Sequence, residues 1–225
     1  MIASQPEGTG LISALIFDCD GTLVDSEDLG IAAMHAHALP YGLTLPLDDM
    51  LHDFRGKSMA RNVAELARHS ATSLPDDFTA TARLAMAERF RTSLEAMPGA
   101  LDFITRLRLP FCVATNGPRD KTELTLGLTG LLPYFAGQVY SAYEVGHFKP
   151  EPQLFLQAAA GLGVAPAACA VVEDSLPGIQ AGLAAGMRVF SLCEPARVPS
   201  DIQQQITSIE RLADLAAWLP EGALA

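Results

Sequence analysis

Cysteine is scarce in this sequence, and its few cysteines lie far apart. The chain of 225 residues has four of them: Cys19, Cys112, Cys169 and Cys193. No two have the Cys-x-x-Cys spacing of a zinc or redox site, and each falls in or beside an apolar segment that predicts a strand. We therefore expect buried, reduced thiols, with neither disulfides nor a zinc site.

Long apolar runs and positive charge are also missing. No apolar run approaches the ~20 residues that span a bilayer, and residues 1–10 have neither the basic nor the apolar region of a signal peptide. The chain has 15 Lys and Arg against 26 Asp and Glu, a formal net charge of −11, which repels nucleic acid and anionic membranes at long range. We expect a cytoplasmic protein that binds neither.

What the sequence does contain is the pattern of an α/β fold. Hydrophobic residues make up 49% of the chain, which is ample for a packed core. Five short apolar segments are typical of parallel strands, and most are separated by helical patterns, so the sequence predicts a doubly wound parallel sheet. The predicted strands are Ile12–Phe17, Phe111–Thr115, Gln138–Ser141, Ala170–Glu173 and Arg188–Leu192. The predicted intervening helices are Leu101–Leu107, Lys121–Leu128, Pro152–Leu162 and Gly178–Ala185.

The interval between the first two predicted strands, about ninety residues, is far longer than an ordinary crossover. Its helical patterns are Ser26–Leu39, Met59–His69 and Asp76–Ala96. We expect an inserted α-helical subdomain at residues 25–96, between core segments at residues 1–24 and 97–225. The alternative is one larger domain with extra helices on the sheet. A final amphipathic helix is expected from Ile209 to Leu219, with Trp218 packing on the core.

The first predicted strand ends in a pair of carboxylates, Asp18 and Asp20, followed by Gly21. Residues i and i+2 of an extended chain point the same way, and open α/β sheets bind ligands at the carboxyl ends of their strands. One acid can attack a small ligand while the other moves a proton. The alternatives are an acidic turn or a calcium loop, but an EF-hand loop ends in a glutamate at position 12, where Leu29 stands here.

Three further polar clusters lie at or after the ends of later predicted strands. Thr115 and Asn116 offer a hydroxyl and an amide that can bond phosphoryl oxygens. Lys149, aimed by the proline after it, can offset the charge of the aspartates so that a phosphate can approach them. Glu173 and Asp174 offer hard oxygen ligands that suit Mg²⁺. Taken singly, these clusters can also be a strand-to-helix turn, a surface lysine and a helix N-cap.

Together the clusters resemble the four motifs of the haloacid dehalogenase (HAD) superfamily, most of whose members are phosphatases. The matching segments are D-C-D-G-T-L-V-D-S from Asp18, T-N-G-P from Thr115, K-P at Lys149 and E-D-S from Glu173. The resemblance implies a Rossmann-like core and the inserted helical cap of subfamily I. The runs around Asn116 and Lys149 resemble the bacterial 6-phosphogluconate phosphatase branch.

The resemblance also implies roles for these residues. Asp18 would attack phosphorus to form an aspartyl-phosphate, and Asp20 would protonate the leaving oxygen and then activate water. Mg²⁺ would bind the Asp18 carboxylate, the Asp20 backbone carbonyl and Asp174, with Glu173 close behind. The implied phosphate cradle consists of Thr115, Asn116 and Lys149. The expected partner is a small phosphorylated metabolite, and the expected assembly is a monomer or weak homodimer.

A glycine loop between two predicted cap helices has two cations and a hydroxyl. Its residues are Arg55, Gly56, Lys57 and Ser58. We expect it to bind the polar or anionic end of the substrate, the alternative being a solvated connection. The β-phosphoglucomutases resemble this loop but have an arginine where Met59 stands and a histidine where Gly30 stands, which favours a hydrolase over a mutase. A catalytically silent binding module is a further alternative, against which the intact acids count.

Overall fold

The centre of the fold is a six-stranded parallel sheet with the strand order β3-β2-β1-β4-β5-β6. The computed structural model describes residues 11–135 and 137–225. The strands are β1 (Ala14–Phe17), β2 (Phe111–Thr115), β3 (Val139–Ser141), β4 (Cys169–Glu173), β5 (Arg188–Ser191) and β6 (Thr207–Ser208). The five predicted strands and the parallel α/β fold are confirmed. Strand β6 was not predicted, because two residues are too few to show a period.

Helices cover the sheet and fill the long interval after β1. The α-helices of the described residues are α1 (Glu27–Ala38), α2 (Leu47–Asp53), α3 (Met59–His69), α4 (Phe78–Ser93), α5 (Ala100–Arg106), α6 (Arg119–Leu128), α7 (Ala142–Val145), α8 (Gln153–Leu162), α9 (Leu176–Ala184) and α10 (Ser200–Gln203). The sequence patterns predicted every α-helix of more than seven residues as well as α5, and they missed α2 and the four-residue helices α7 and α10.

The final amphipathic helix expected from Ile209 to Leu219 is shorter than predicted and is not an α-helix. Residues Leu212–Ala217 form a 3₁₀-helix. Its two buried residues, Leu212 and Leu215, are three positions apart, which matches the three residues per turn of a 3₁₀-helix. The expected packing of Trp218 is confirmed, since its ring lies edge-on to Phe190 with the centroids 5.9 Å apart.

Both faces of the sheet are buried, as the continuous apolar strands predict. Successive side chains of a strand point to opposite faces. Leu15 and Phe17 of β1 therefore pack in one hydrophobic cluster, and Ala14 and Ile16 pack in the other. This sandwiching keeps β1 at the centre of the sheet and fixes where its carboxyl end emerges.

The helices between β1 and β2 have a third hydrophobic cluster of their own, built on residues such as Ile31, Met34 and Phe78. Gly30 lets α1 approach α4 closely, since a Cβ there would lie 2.9 Å from the Met86 Cε. The division into a core at residues 1–24 and 97–225 and a cap at residues 25–96 remains a prediction, and residues 1–10 lie outside the described residues.

Two expectations about the whole chain can be compared with the structure. All four cysteines are buried and free, as expected. No helix in the described part of the chain is long and apolar enough to cross a membrane. The expected absence of a signal peptide concerns residues 1–10, outside the described residues.

Candidate active site

A cleft of about 970 Å³ opens where the strand order reverses, beside β1 and β4. Ligands of open α/β sheets bind at this kind of switch point, beyond the carboxyl ends of the strands. Asp18 directly follows β1, and Glu173 is the last residue of β4. The topology thus brings the first and fourth polar clusters together.

Lys149 lies between two carboxylates at the base of this cleft. Its Nζ donates hydrogen bonds to the Asp18 Oδ1 at 2.5 Å and the Glu173 Oε1 at 2.7 Å, and it lies 4.9 Å from the centre of the Phe155 ring. The lysine side chain is only 2% exposed. Burial opposes its charge, but attraction to Asp18 and Glu173 prevails and raises the Lys149 pKa above its ordinary value.

The second predicted cluster holds this lysine in place. The Asn116 side chain accepts a hydrogen bond from the Lys149 backbone N–H at 2.9 Å and donates one to the Lys149 carbonyl at 3.4 Å. Thr115 is buried, and its Oγ1 accepts a hydrogen bond from the Gly117 N–H at 2.9 Å. Both residues line the cleft. In this arrangement the Asn116 amide orients the backbone of Lys149, which the sequence did not reveal.

An acidic cluster suited to a metal ion lies next to Lys149. One carboxylate oxygen from each of Asp18, Glu173 and Asp174 lies within 4.8 Å of the others. Burial raises the pKa of Asp18 to about 7; Lys149 opposes the shift, and Glu173 and Asp20 add to it. Burial, followed by repulsion from Glu173 and Asp18, also raises the Asp174 pKa. The surplus of negative charge and the hard oxygen donors fit a divalent cation.

Within this cluster the acids differ in the contacts they already make. Glu173 is fully buried; its Oε1 bonds Lys149 and its Oε2 accepts from both the N–H and the Oγ of Ser175 at 2.8 Å. Asp174 accepts one side-chain hydrogen bond, from the Thr22 Oγ1 at 3.0 Å. Asp18 and Asp174 therefore have more capacity to ligate an ion. Glu173 instead uses its oxygens to position Lys149 and Ser175.

Gly21 is required by this geometry. Its φ is +79°, a conformation that side chains disfavour, and a Cβ there would lie 2.2 Å from the Asp174 Oδ2. The glycine of the first motif thus lets the turn after β1 pass directly beside the acid that follows β4.

Asp20 has partners that the sequence analysis missed. Its Oδ1 accepts hydrogen bonds from the Ser26 hydroxyl and from the Lys121 Nζ. Burial by itself would raise the Asp20 pKa, but Lys121 and these two hydrogen bonds hold it below its ordinary value. Lys121 stands in the first turn of an amphipathic helix, where sequence alone indicates an exposed lysine.

The predicted cap loop is only partly directed at the cleft. Gly56, Lys57 and Ser58 line it, and the Gly56 N–H donates to the Glu27 Oε1 at 2.8 Å. The Ser58 side chain caps α3. Arg55 is not among the lining residues; its guanidinium pairs with Asp28 at 2.5 Å. The role of the loop in binding substrate remains a prediction, and the contacts favour Lys57 over Arg55.

Two positions that separate this chain from the mutases also lie in the cleft. Gly30 and Met59 both line it. The departures from the mutase pattern therefore fall where a substrate would bind, and neither residue can supply the histidine or arginine side chain at that place.

Comparisons with known proteins identify the family. The family model for haloacid dehalogenase-like hydrolases matches residues 12–186. The chain is 32% identical over 213 residues to 6-phosphogluconate phosphatase of Escherichia coli K12, covering 94% of this chain and 96% of that one. It is also 32% identical over 220 residues to a probable pseudouridine-5'-phosphatase of Drosophila melanogaster, covering 93% of each.

A solved structure extends the similarity to the fold. A HAD family hydrolase from Deinococcus radiodurans R1, with bound phosphate and sodium, has 29% identity and a TM-score of 0.72, covering 95% of this chain and 98% of that one. The fold, the four clusters at one sheet edge and these relatives lead to the same conclusion. The chain belongs to the haloacid dehalogenase-like hydrolases, and it is a phosphatase of that family.

Proposed function

We propose that the protein is a Mg²⁺-dependent phosphatase that hydrolyses a small sugar phosphate, with 6-phosphogluconate as the first candidate, through an aspartyl-phosphate on Asp18. The observation that carries the proposal is the position of Asp18: its carboxylate is held by Lys149 in the acidic cluster of the cleft, with Asp20 two residues further along. Phosphoryl transfer asks a protein mainly for positioning and for neutralisation of charge, and this cluster offers both.

In the first step a carboxylate oxygen of Asp18 bonds to phosphorus while the bond from phosphorus to the ester oxygen breaks. Asp20 gives a proton to the leaving oxygen, which departs as an alcohol. Lys149 balances charge beside the attacked phosphate, and Thr115 and Asn116 complete the cradle. Covalent catalysis by a carboxylate divides one difficult displacement into two easier ones.

In the second step water attacks phosphorus, Asp20 takes the proton from that water, and the bond between Asp18 and phosphorus breaks to release inorganic phosphate. Asp20 regains the proton it gave away, so the cycle closes. The contact with Lys121 favours the charged form of Asp20, which is the form that accepts a proton. Lys121 therefore supports the hydrolytic half of the cycle and disfavours the protonated form of Asp20 that the first step uses.

The metal assignment is the one that the family resemblance implies, and the acidic cluster of Asp18, Glu173 and Asp174 supports it. Asp18, the Asp20 backbone carbonyl and Asp174 would hold Mg²⁺, with Glu173 orienting its neighbours. When bound, the ion supplies positive charge that lets the phosphate approach the carboxylates. We expect activity to vanish in excess chelator and to return with Mg²⁺, while zinc substitutes poorly because the donors are oxygens.

The proposed substrate class is supported by relatives and by the cleft. At the same 32% identity, one relative is named for a phosphorylated sugar acid and another for a phosphorylated nucleoside. The cap contributes Lys57 to the cleft, which favours a substrate with a polar or anionic end. The test must therefore compare sugar phosphates with nucleotides and polyol phosphates.

The test is a phosphate-release screen of the pure protein with Mg²⁺ across sugar phosphates, polyol phosphates, phosphoglycolate and nucleotides. We expect a sugar phosphate to give the highest kcat/KM. Interconversion of glucose 1-phosphate and glucose 6-phosphate with a bisphosphate activator, without net phosphate release, would favour the mutase alternative. Binding of phosphate esters without turnover of any of them would favour the silent binding module.

A further inference from the structure

The cations of the cleft fall into two groups when their partners are compared. The lysine and arginine residues that line the cleft are Lys57, Arg83, Arg91, Lys121 and Lys149. Three of them pair with a carboxylate: Lys149 with Asp18 and Glu173, Lys121 with Asp20, and Arg91 with Glu88. Lys57 and Arg83 form no ion pair with any described residue. These two positive charges are available to an anion from solution.

Of the two, Arg83 makes more side-chain contacts. It lies on α4 in the cap and reaches across to the core, where its Nη2 donates to the Tyr143 Oη at 2.8 Å. The guanidinium carbon lies 5.4 Å from the centre of the Tyr143 ring. Tyr143 in turn packs edge-on against Phe148, with the centroids 5.1 Å apart. The guanidinium is therefore oriented by Tyr143, whose ring is in turn packed against Phe148.

This partner orients the guanidinium without neutralising it. Tyrosine is uncharged near neutral pH, and only one of the five N–H donors of Arg83 is used in the bond to Tyr143. A guanidinium held in this way presents a fork that matches a carboxylate, and little side-chain entropy remains to be lost on binding. The remaining donors are complementary to an anionic group.

We propose that Arg83, positioned by Tyr143, binds a carboxylate at the end of the substrate far from its phosphate, so that the enzyme prefers phosphate monoesters of sugar acids. The inference rests on the proposed phosphatase function and makes its substrate class specific. The phosphate end goes to the acidic cluster, where the cations already have partners. Arg83 then takes the role that the sequence analysis gave to Arg55, whose guanidinium is occupied by Asp28.

The experiment compares two esters that differ in one group. In 6-phosphogluconate the terminal carbon is a carboxylate, and in glucitol 6-phosphate it is a hydroxymethyl group. The variant is Arg83→Met, and the matched control is Arg89→Met, which removes a cation from the same helix at an exposed position that does not line the cleft. We expect Arg83→Met to lower kcat/KM for 6-phosphogluconate about tenfold to a hundredfold, mainly through KM.

On glucitol 6-phosphate the same variant should change kcat/KM by no more than a few-fold, and Arg89→Met should resemble the unaltered enzyme on both esters. Tyr143→Phe should weaken the preference for the acid in the same direction but less. Thermal melting of each variant checks that it folds. Equal losses on both esters, which a purely structural contact between cap and core would give, overturn the inference, as does an Arg83→Met enzyme that retains its preference.

The unaltered enzyme separates this inference from the function on which it rests. If it releases phosphate from both esters without preferring the acid, the inference fails and the phosphatase function stands. If it releases phosphate from no ester in the presence of Mg²⁺, both fail.

Discussion

Lys149 balances negative charge that the interior around it would otherwise not tolerate. It is the residue that bonds both Asp18 and Glu173, and its side chain and that of Glu173 have almost no contact with water. A buried ion pair gains little over an apolar replacement, but removal of one partner leaves an uncompensated buried charge. Lys149, which the sequence predicts to bind phosphate, therefore also contributes to the stability of the folded protein.

The prediction at this scale is that Lys149→Met destabilises the protein by about 3–5 kcal/mol, measured by urea unfolding with chelator present so that no cation fills the gap. The double variant Lys149→Met with Glu173→Gln should recover part of that loss, because it also removes one of the stranded charges. A Lys149→Met protein as stable as the unaltered one would contradict this description of the site.

Residues at strand ends were predictable from the sequence, and their partners from elsewhere were not. Asp18, Thr115 and Glu173 could be located because each lies at the carboxyl end of an apolar strand of the same sheet. Lys121 and Arg83 could not, because each stands on a helix where the local pattern suits solvent. Their contacts depend on how α6 meets the turn after β1 and how α4 meets the core.

At the scale of elements, the turn after β1 depends on Gly21, and the chain offers a matched control. Gly21 and Gly99 have nearly equal φ, +79° and +77°, but a Cβ at Gly99 meets nothing within 4 Å, whereas at Gly21 it meets Asp174. Either alanine variant should lose about 1–2 kcal/mol of stability from backbone strain. Only Gly21→Ala should also lose most of its phosphatase activity.

Unfolding and activity assays on the two variants check this. The activity of Gly99→Ala shows the effect of backbone strain alone. The additional loss of activity in Gly21→Ala therefore measures the effect of displacing Asp174. A Gly21→Ala enzyme that keeps the activity of Gly99→Ala would show that Asp174 does not need its present position.

The cap loop is the second element that can be tested. Lys57 lines the cleft and Arg55 does not. We therefore expect Lys57→Gln to lower kcat/KM for 6-phosphogluconate more than for p-nitrophenyl phosphate, by roughly tenfold if a charge-assisted hydrogen bond is lost. Arg55→Gln should affect the two substrates alike, since it frees Asp28. The opposite ranking of the two variants would restore Arg55 as the substrate-binding cation.

Short elements were the ones that sequence reasoning missed. Strand β6 has two residues, too few to show a period. Helix α2 has seven residues, as many as the predicted α5, but only three of them are apolar. The last turn has apolar residues at the three-residue spacing that α- and 3₁₀-helices share, and Leu212–Ala217 adopts the tighter form. A longer helix or strand repeats its apolar spacing several times, which makes it easier to recognise than these short elements.

At the scale of the whole molecule, the four thiols report on the packing of the core. All are buried, and burial raises the pKa of Cys19, Cys112, Cys169 and Cys193. Since the thiolate is the reactive form, we expect none to react rapidly with a thiol reagent at pH 8 in the folded protein and all four to react in denaturant. Rapid reaction of any one in the folded protein would contradict the packing described.

The wider architecture followed from the sequence because alternating strands and helices leave few topologies open. The contact between α4 and Tyr143 was not predictable, because the Arg83–Tyr143 bond joins residues sixty positions apart. Contacts of this kind across the cleft are visible only in the structure, and the proposed specificity rests on them.

The most direct test of the account is to trap the phosphorylated enzyme. Asp20→Asn enzyme is mixed with Mg²⁺ and p-nitrophenyl phosphate, whose good leaving group needs no protonation, then quenched in acid and digested for mass spectrometry. The account predicts one phosphoryl group on Asp18, none in an Asp18→Asn control, and a kcat for Asp18→Asn at least about a thousandfold below that of the unaltered enzyme. A phosphoryl group on another residue, or near-normal turnover by Asp18→Asn, would contradict it.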